Sequence, residues 1–170
     1  MNHRPNANEY APYYHTYIGK VPEGKLIELL STQIENTLTT FARISEEKGA
    51  YRYAEGKWSI KEVLGHIIDT ERIMVFRALA IGRGDKTPIP GFEQDDYVAT
   101  SNADARTIAE MVEELKLVRQ STIALFQSFT DEMMQELGTA SGLPVSTRAL
   151  AYIIVGHELH HLGILKERYL

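Results

Sequence analysis

Four stretches of this sequence repeat apolar residues at intervals of three and four over several helical turns each, and that spacing leaves a bundle of amphipathic helices as the fold they can form together. The first covers about residues 23–47. It follows Pro22, sets Leu26, Leu30, Ile34, Leu38 and Phe41 on one face, and ends at Lys48-Gly49-Ala50. The second begins at Ser59, where Ser59 and Glu62 have the spacing of a capping box with Trp58 just before it, and runs to about Ile81 before Gly82-Arg83-Gly84. The third is expected from about Asp104 to Phe129, with Ile108, Met111, Leu115, Val118, Thr122 and Leu125 facing inward. A short segment, Asp131 to Leu137, ends at Gly138 and precedes a loop at 138–145. Ser146 or Thr147 then caps a fourth helix that reaches about Tyr169. No alternating β pattern, internal repeat or low-complexity segment is evident, so the expected class is all-α: a four-helix bundle. Residues 84–102, with Pro88, Pro90 and Gly91, form a connection far longer than the ~2–8 residues that join antiparallel neighbours. Such a crossover can run the length of the bundle and lets the second and third helices lie parallel.

The remaining organisation is simple. Residues 1–22 read as an irregular N-terminal arm in which Tyr10, Tyr13, Tyr14 and Tyr17 lie on the surface of the bundle, with His3 and His15 as partly exposed side chains; residues 23–170 read as one domain. A net charge of −5 without a basic run argues against a nucleic-acid footprint. No apolar run approaches the ~18–20 residues of a membrane span, and the first residues lack the basic start and apolar run of a signal peptide, so a cytoplasmic location is expected. The absence of cysteine excludes disulfides, a cysteine nucleophile, thiolate ligands and iron–sulfur clusters. Any thiol chemistry would need a thiol brought by another molecule.

The chemistry concentrates on histidines. His157 and His161 are four residues apart on an apolar stripe with Leu150, Ile153, Ile154 and Ile164, so both imidazoles project towards the core about one turn apart. His66 shares a face with Val63, Thr70 and Ile73. Buried imidazoles need partners, and three neutral imidazoles with one exchangeable position make an open metal site; a closed one would also need His160 or a carboxylate. The alternative is a set of hydrogen-bonded core histidines. His160 points to the edge of the stripe and is expected beside the site rather than in it. His157-Glu158-Leu159-His160-His161 also spells H-E-x-x-H, the zinc metallopeptidase pattern in which Glu158 would be the general base. Only nine residues follow His161, too few for a downstream third ligand at the usual separation, and no strand is expected to pair with a peptide, so Glu158 is read as a helix-face carboxylate that could orient a water. Asp69 could orient a ligand histidine but is read with Glu71 as a solvated helix charge, and Trp58 as a packing anchor.

Together, Trp58-Ser59-Ile60-Lys61-Glu62-Val63-Leu64-Gly65-His66, Asp69-Thr70-Glu71-Arg72, Pro88-Ile89-Pro90-Gly91-Phe92 and the closing Gly156-His157 to His161 resemble the DinB-like (DinB/YfiT) superfamily over about Lys25 to Leu170. The resemblance implies a four-helix bundle with a long crossover between helices 2 and 3. It implies a three-histidine site on His66, His157 and His161 holding a divalent metal ion of the zinc, nickel or iron and manganese group, and a homodimer. It also implies a small-molecule substrate and an enzyme that activates a low-molecular-weight thiol, as an S-transferase, or water, as a hydrolase. A metal-binding structural or stress-response protein without catalysis is the other reading.

Overall fold

The structure is a computed structural model and describes residues 3–170. In chain order its helices are α1 (His15–Ile18), α2 (Leu26–Phe41), α3 (Glu46–Gly49), α4 (Ile60–Gly82), α5 (Gln94–Thr100), α6 (Ile108–Gln127), α7 (Asp131–Gln135) and α8 (Thr147–Ile164), the last continued by a π-helical turn at Leu165–Tyr169. The bundle is α2, α4, α6 and α8. Its cross-helix contacts give the directions. Ser59 Oγ bonds Asp104 (2.5 Å), Arg72 bonds Glu114 (2.5 Å), Arg119 Nε bonds Glu71 (2.8 Å), and Gly82 abuts Phe129, so α4 and α6 advance in step and are parallel. Trp58 accepts from the Tyr169 hydroxyl (2.8 Å) while Gly82 meets Thr147, so α4 and α8 are antiparallel. Gln33 reaches Val155 and Thr37 reaches Glu158, which makes α2 and α8 parallel. The four run up, down, down and up, and residues 84–102 supply the crossover that this order requires.

Several boundaries differ from the expected ones for local reasons. The first helix breaks after Phe41: the chain turns through 42–45 while keeping Ile44 in the core, and Ser45 starts α3 by accepting from the Lys48 backbone. The third helix proper starts at Ile108, where Thr107 and Glu110 close a capping box; Ala103–Ala105 before it is a separate 3-10 turn. The crossover is not structureless, since it contains α5. The loop expected at 138–145 is a hairpin, with β1 (Leu137–Ala140) paired antiparallel to β2 (Leu143–Ser146). Ser141 and Gly142 both have positive φ (54° and 77°), the left-handed pair that a two-residue hairpin turn needs. Its strands are too short for alternation to register in sequence. Ile89 of the crossover docks on it through Ile89 N to Thr139 O (2.9 Å) and Ser141 N to Ile89 O (3.0 Å).

Helix α8 is buried nearly all round. Thr147 and every residue from Ala149 to Glu158 are buried, because α4 and α2 pack on it and the N-terminal arm covers a further side. The arm is more ordered than expected. Two 3-10 turns, Ala7–Glu9 and Pro12–Tyr14, lead into α1, and Arg4 donates to the carbonyls of Ile18 and Val21 (2.6 Å each). Tyr10 and Tyr14 are buried, while Tyr13 stays exposed. Gly156 lets the arm come this close, since a Cβ there would lie 2.1 Å from the Tyr17 carbonyl oxygen.

The apolar core falls into two clusters. One gathers Leu26, Leu30, Met74, Phe126 and Ala149–Val155; the other gathers Ile34, Phe41, Ile60, Val63, Leu64, Ile67, Ile68, Met111, Leu115 and Leu162. Between them lies a polar layer of Gln33, Thr37, Glu71, Arg119, Thr122 and Glu158, all buried.

Candidate metal centre

At the edge of this polar layer, α4 contributes His66 and α8 contributes His157 and His161. The helical spacing puts the latter two one turn apart, and the antiparallel pairing sets His66 opposite them. His66 Nε2 lies 3.0 Å from His157 Nε2, and His161 Nε2 lies 3.1 Å from the same atom. The three residues are 4%, 6% and 8% exposed, and their ligand atoms lie within 4.8 Å of one another.

Hydrogen bonding among these nitrogens cannot be complete. A neutral imidazole has one N–H and one lone pair, and the single Nε2 of His157 cannot both donate to one neighbour and accept from the other. A cation that takes all three lone pairs resolves the conflict. The two distances to His157 are close to the ~3.3 Å edge of a tetrahedron with metal–nitrogen bonds of ~2.0–2.1 Å. The donor set therefore fits a divalent ion with at least one position left for water or substrate.

Burial keeps these imidazoles neutral. It is the main cause that pushes His66 down to about 4, with His160 adding to it, and His161 down to about 3, with His66 and His160 adding. His157 is lowered well below the ordinary range, by burial first and then by His161, His66 and His160. In the unfolded chain each titrates near ~6.5. Between the folded and unfolded values the folded chain binds fewer protons, so stability is retained above ~6.5 and lost as pH falls towards the folded values. For chelator-treated protein we expect urea midpoints to drop between about pH 7 and about pH 5, with a slope of about 1.4 kcal/mol per pH unit for each group. Equal midpoints would contradict the buried neutral trio.

Aromatic rings hold the imidazoles. Trp58 lies 4.8 Å from His66 and 6.4 Å from His161 between ring centroids, and Tyr17 meets His157 edge-on at 5.4 Å. Trp58 is thus a packing anchor, as expected, and also a wall of the site. His160 is half-buried beside Tyr17 and His161, outside the trio. Two openings reach the histidines. One passes Trp58, Tyr53 and Asp95 to His161; the other is a cavity of about 300 Å3 where Tyr17, Thr70, Arg77 and Phe92 surround His66 and His157. Asp95, on the crossover, borders both.

Two expectations fail here. Glu158 is not a helix-face carboxylate and has no free oxygen with which to orient a water. Gln33 Nε2 and Arg119 Nη2 donate to its Oε2 (2.6 Å each), and Thr37 donates to its Oε1. Glu71 is not solvated either: Arg119 grips it through two nitrogens at 2.8 Å, and Thr122 donates at 2.6 Å. Both carboxylates are buried because Arg119 pairs with them. Asp69 is half-exposed near Arg72 (3.8 Å), as expected, and burial raises its pKa. Arg119, Arg77 and Thr70 were not singled out from the sequence as parts of a site. A charge placed on an apolar stripe, three or four residues from core positions, was the available signal for the two arginines.

Known proteins resemble this chain in sequence and fold. A protein of Oceanobacillus iheyensis named "Putative metal-dependent hydrolase" is 26% identical over 84% of this chain and 80% of its own length. Bacillus subtilis YjoA is 28% identical over 72% of this chain and 73% of its own. Among solved structures, Bacillus subtilis YfiT, described as a probable metal-dependent hydrolase with an unusual four-helix bundle topology, superposes with a TM-score of 0.76 at 14% identity, covering 97% of this chain and 90% of YfiT. The crystal structure of YjoA, described as a DinB-like protein, gives 0.61 at 22% identity over 85% and 88%. The up, down, down and up bundle is the fold they share. A DinB superfamily model matches residues 29–165, most of the chain, and the protein therefore belongs to the DinB superfamily.

Proposed function

We propose that His66, His157 and His161 hold a divalent metal ion and that the protein is a metal-dependent hydrolase of a small molecule. The observation that carries this reading is the convergence of three buried imidazoles, with the Nε2 atoms of His66 and His161 3.0 and 3.1 Å from that of His157 and all three ligand atoms within 4.8 Å of one another, beside an open cavity, a donor set that leaves a coordination position free. An ion bound there supplies Lewis acidity, lowering the pKa of a water or thiol and polarising a carbonyl.

The chain's own residues do the rest. Trp58 and Tyr17 fix the ring planes, and Tyr17 and Phe92 narrow the water around the histidines. Glu158 is committed to Arg119 and cannot take the proton of the nucleophile. Asp95 borders both openings, is exposed, and is the carboxylate we assign to that task. The relatives' names favour water as nucleophile. The lack of any cysteine in the chain leaves room for thiol transfer with a cosubstrate thiol.

A panel of esters, lactones and amides, run on metal-loaded protein with and without added thiol, separates these chemistries. Turnover without thiol, abolished by chelation and lowered in kcat by Asp95→Asn at unchanged metal content, is the expected result. Turnover only with thiol would replace hydrolysis by S-transfer. No turnover of either kind by fully loaded protein would reduce the ion to a staple between α4 and α8.

A further inference from the structure

Arg77 is 1% exposed, as deeply buried as Arg119, but it has no carboxylate. Among the described residues no acidic oxygen comes within ion-pair distance of it. Its Nη2 donates to the Pro90 carbonyl (3.0 Å) and to Ser141 Oγ (3.2 Å), its Nη1 lies 3.8 Å from Met74 Sδ, and its Nε has no partner among the described residues. A guanidinium stays protonated, and an unbalanced buried charge is among the costlier features a fold can keep. Thr70, 3% exposed, likewise has a buried hydroxyl without a partner.

Both residues line the cavity that reaches His66 and His157. Steps of four and eleven residues from His66 return to nearly the same face of α4, so His66, Thr70 and Arg77 form one stripe along it. The Cα rise from His66 to Arg77 is ~16 Å, and the long Arg77 side chain leans back towards the start of the helix, which shortens the span. Arg77 and Thr70, each with one buried donor that lacks a partner among the described residues, therefore line the same cavity as the histidines.

We propose that Arg77 and Thr70 form a subsite for the carboxylate of a small acidic molecule, whose other end reaches the three histidines. Arg77 supplies the compensating charge for a carboxylate and Thr70 a further hydroxyl donor, and the Nη2 bonds to Pro90 and Ser141 keep the guanidinium plane in place before anything binds. Glu93 and Asp95 at the mouth favour a single negative charge over a dianion. The proposal rests on the reading of the cavity as a substrate site, but the charge recognition it describes does not depend on the metal.

The test is a ¹⁹F NMR titration of 4-fluorobenzoate and its neutral counterpart 4-fluorobenzamide against both metal-free and metal-loaded protein. Benzoate should bind about ten-fold or more tightly than benzamide in both forms. Arg77→Met should remove that preference, and Thr70→Val should weaken benzoate about three- to five-fold. Equal binding of the two probes, absence of binding, or a preference that survives Arg77→Met would overturn the proposal. So would benzoate binding found only in loaded protein and lost in His157→Ala, which would put the carboxylate on the metal instead. Inorganic phosphate displacing benzoate at lower concentration than acetate does would overturn the choice of carboxylate. Should Arg77→Met fail to fold, the benzoate and benzamide comparison and Thr70→Val still decide it. Because the metal-free arm stands alone, a protein that binds benzoate yet hydrolyses nothing would sink the hydrolase reading and leave the subsite.

Discussion

Arg119→Met will be the most destabilising single change outside the apolar core, lowering the folding free energy by about 3–5 kcal/mol. Arg119 has no measurable exposure, and it gives Nε and Nη2 to Glu71, Nη2 to Glu158 and Nη1 to the Leu30 carbonyl (3.1 Å). It thus links α2, α4, α6 and α8 at one level. Without it two carboxylates, 3% and 1% exposed, face each other with only neutral donors. They would have to take up protons or draw in water. For a chain of this size the loss corresponds to a fall in melting temperature of roughly 10 °C. Urea denaturation checks the free energy, and the triple variant with Glu71→Gln and Glu158→Gln should recover much of it, since removing all the charges together leaves none uncompensated. A single Arg119→Met variant as stable as wild type would mean that the layer is solvated in solution.

His157→Ala should abolish metal binding outright. Its Nε2 is the atom to which both other imidazoles approach, so removing it leaves His66 and His161 as two donors on different helices with the space between them empty. Elemental analysis of untagged protein should find one ion per chain in wild type and almost none in the variant. With wild type, metal at a thousand-fold excess over its Kd should add about 4 kcal/mol of stability, and the variant should gain none. An ion retained by the variant would assign the metal to other ligands.

The bundle was legible in the sequence because its period is the helix's own, and the crossover was legible because no short turn could replace it. That length allows the parallel pairing of α4 and α6, which the contacts of Asp104, Glu114 and Arg119 then show. His157 and His161 were legible for the same reason, since four residues fix a shared face, while His66 was picked out by its apolar neighbours and by the family resemblance. What escaped were interactions between positions distant in the chain. Arg119 is 48 residues from Glu71 and 39 from Glu158, and neither carboxylate announces in sequence that a cation waits opposite it. Glu158 was read as a helix-face carboxylate because nothing near it in the sequence shows that Gln33, Thr37 and Arg119 converge on it. Its α2 and α6 partners give it a structural task instead.

Helix α8 is synthesised after α2, α4 and α6 and is enclosed by its neighbours on nearly every side. A nascent chain that has released the first three helices therefore presents apolar faces with nothing to close them until residues 147–164 emerge. Two of the three histidines of the proposed metal site arrive on the same late segment, so an ion held by all three would be captured only once α8 has packed, and would mark a bundle that has closed.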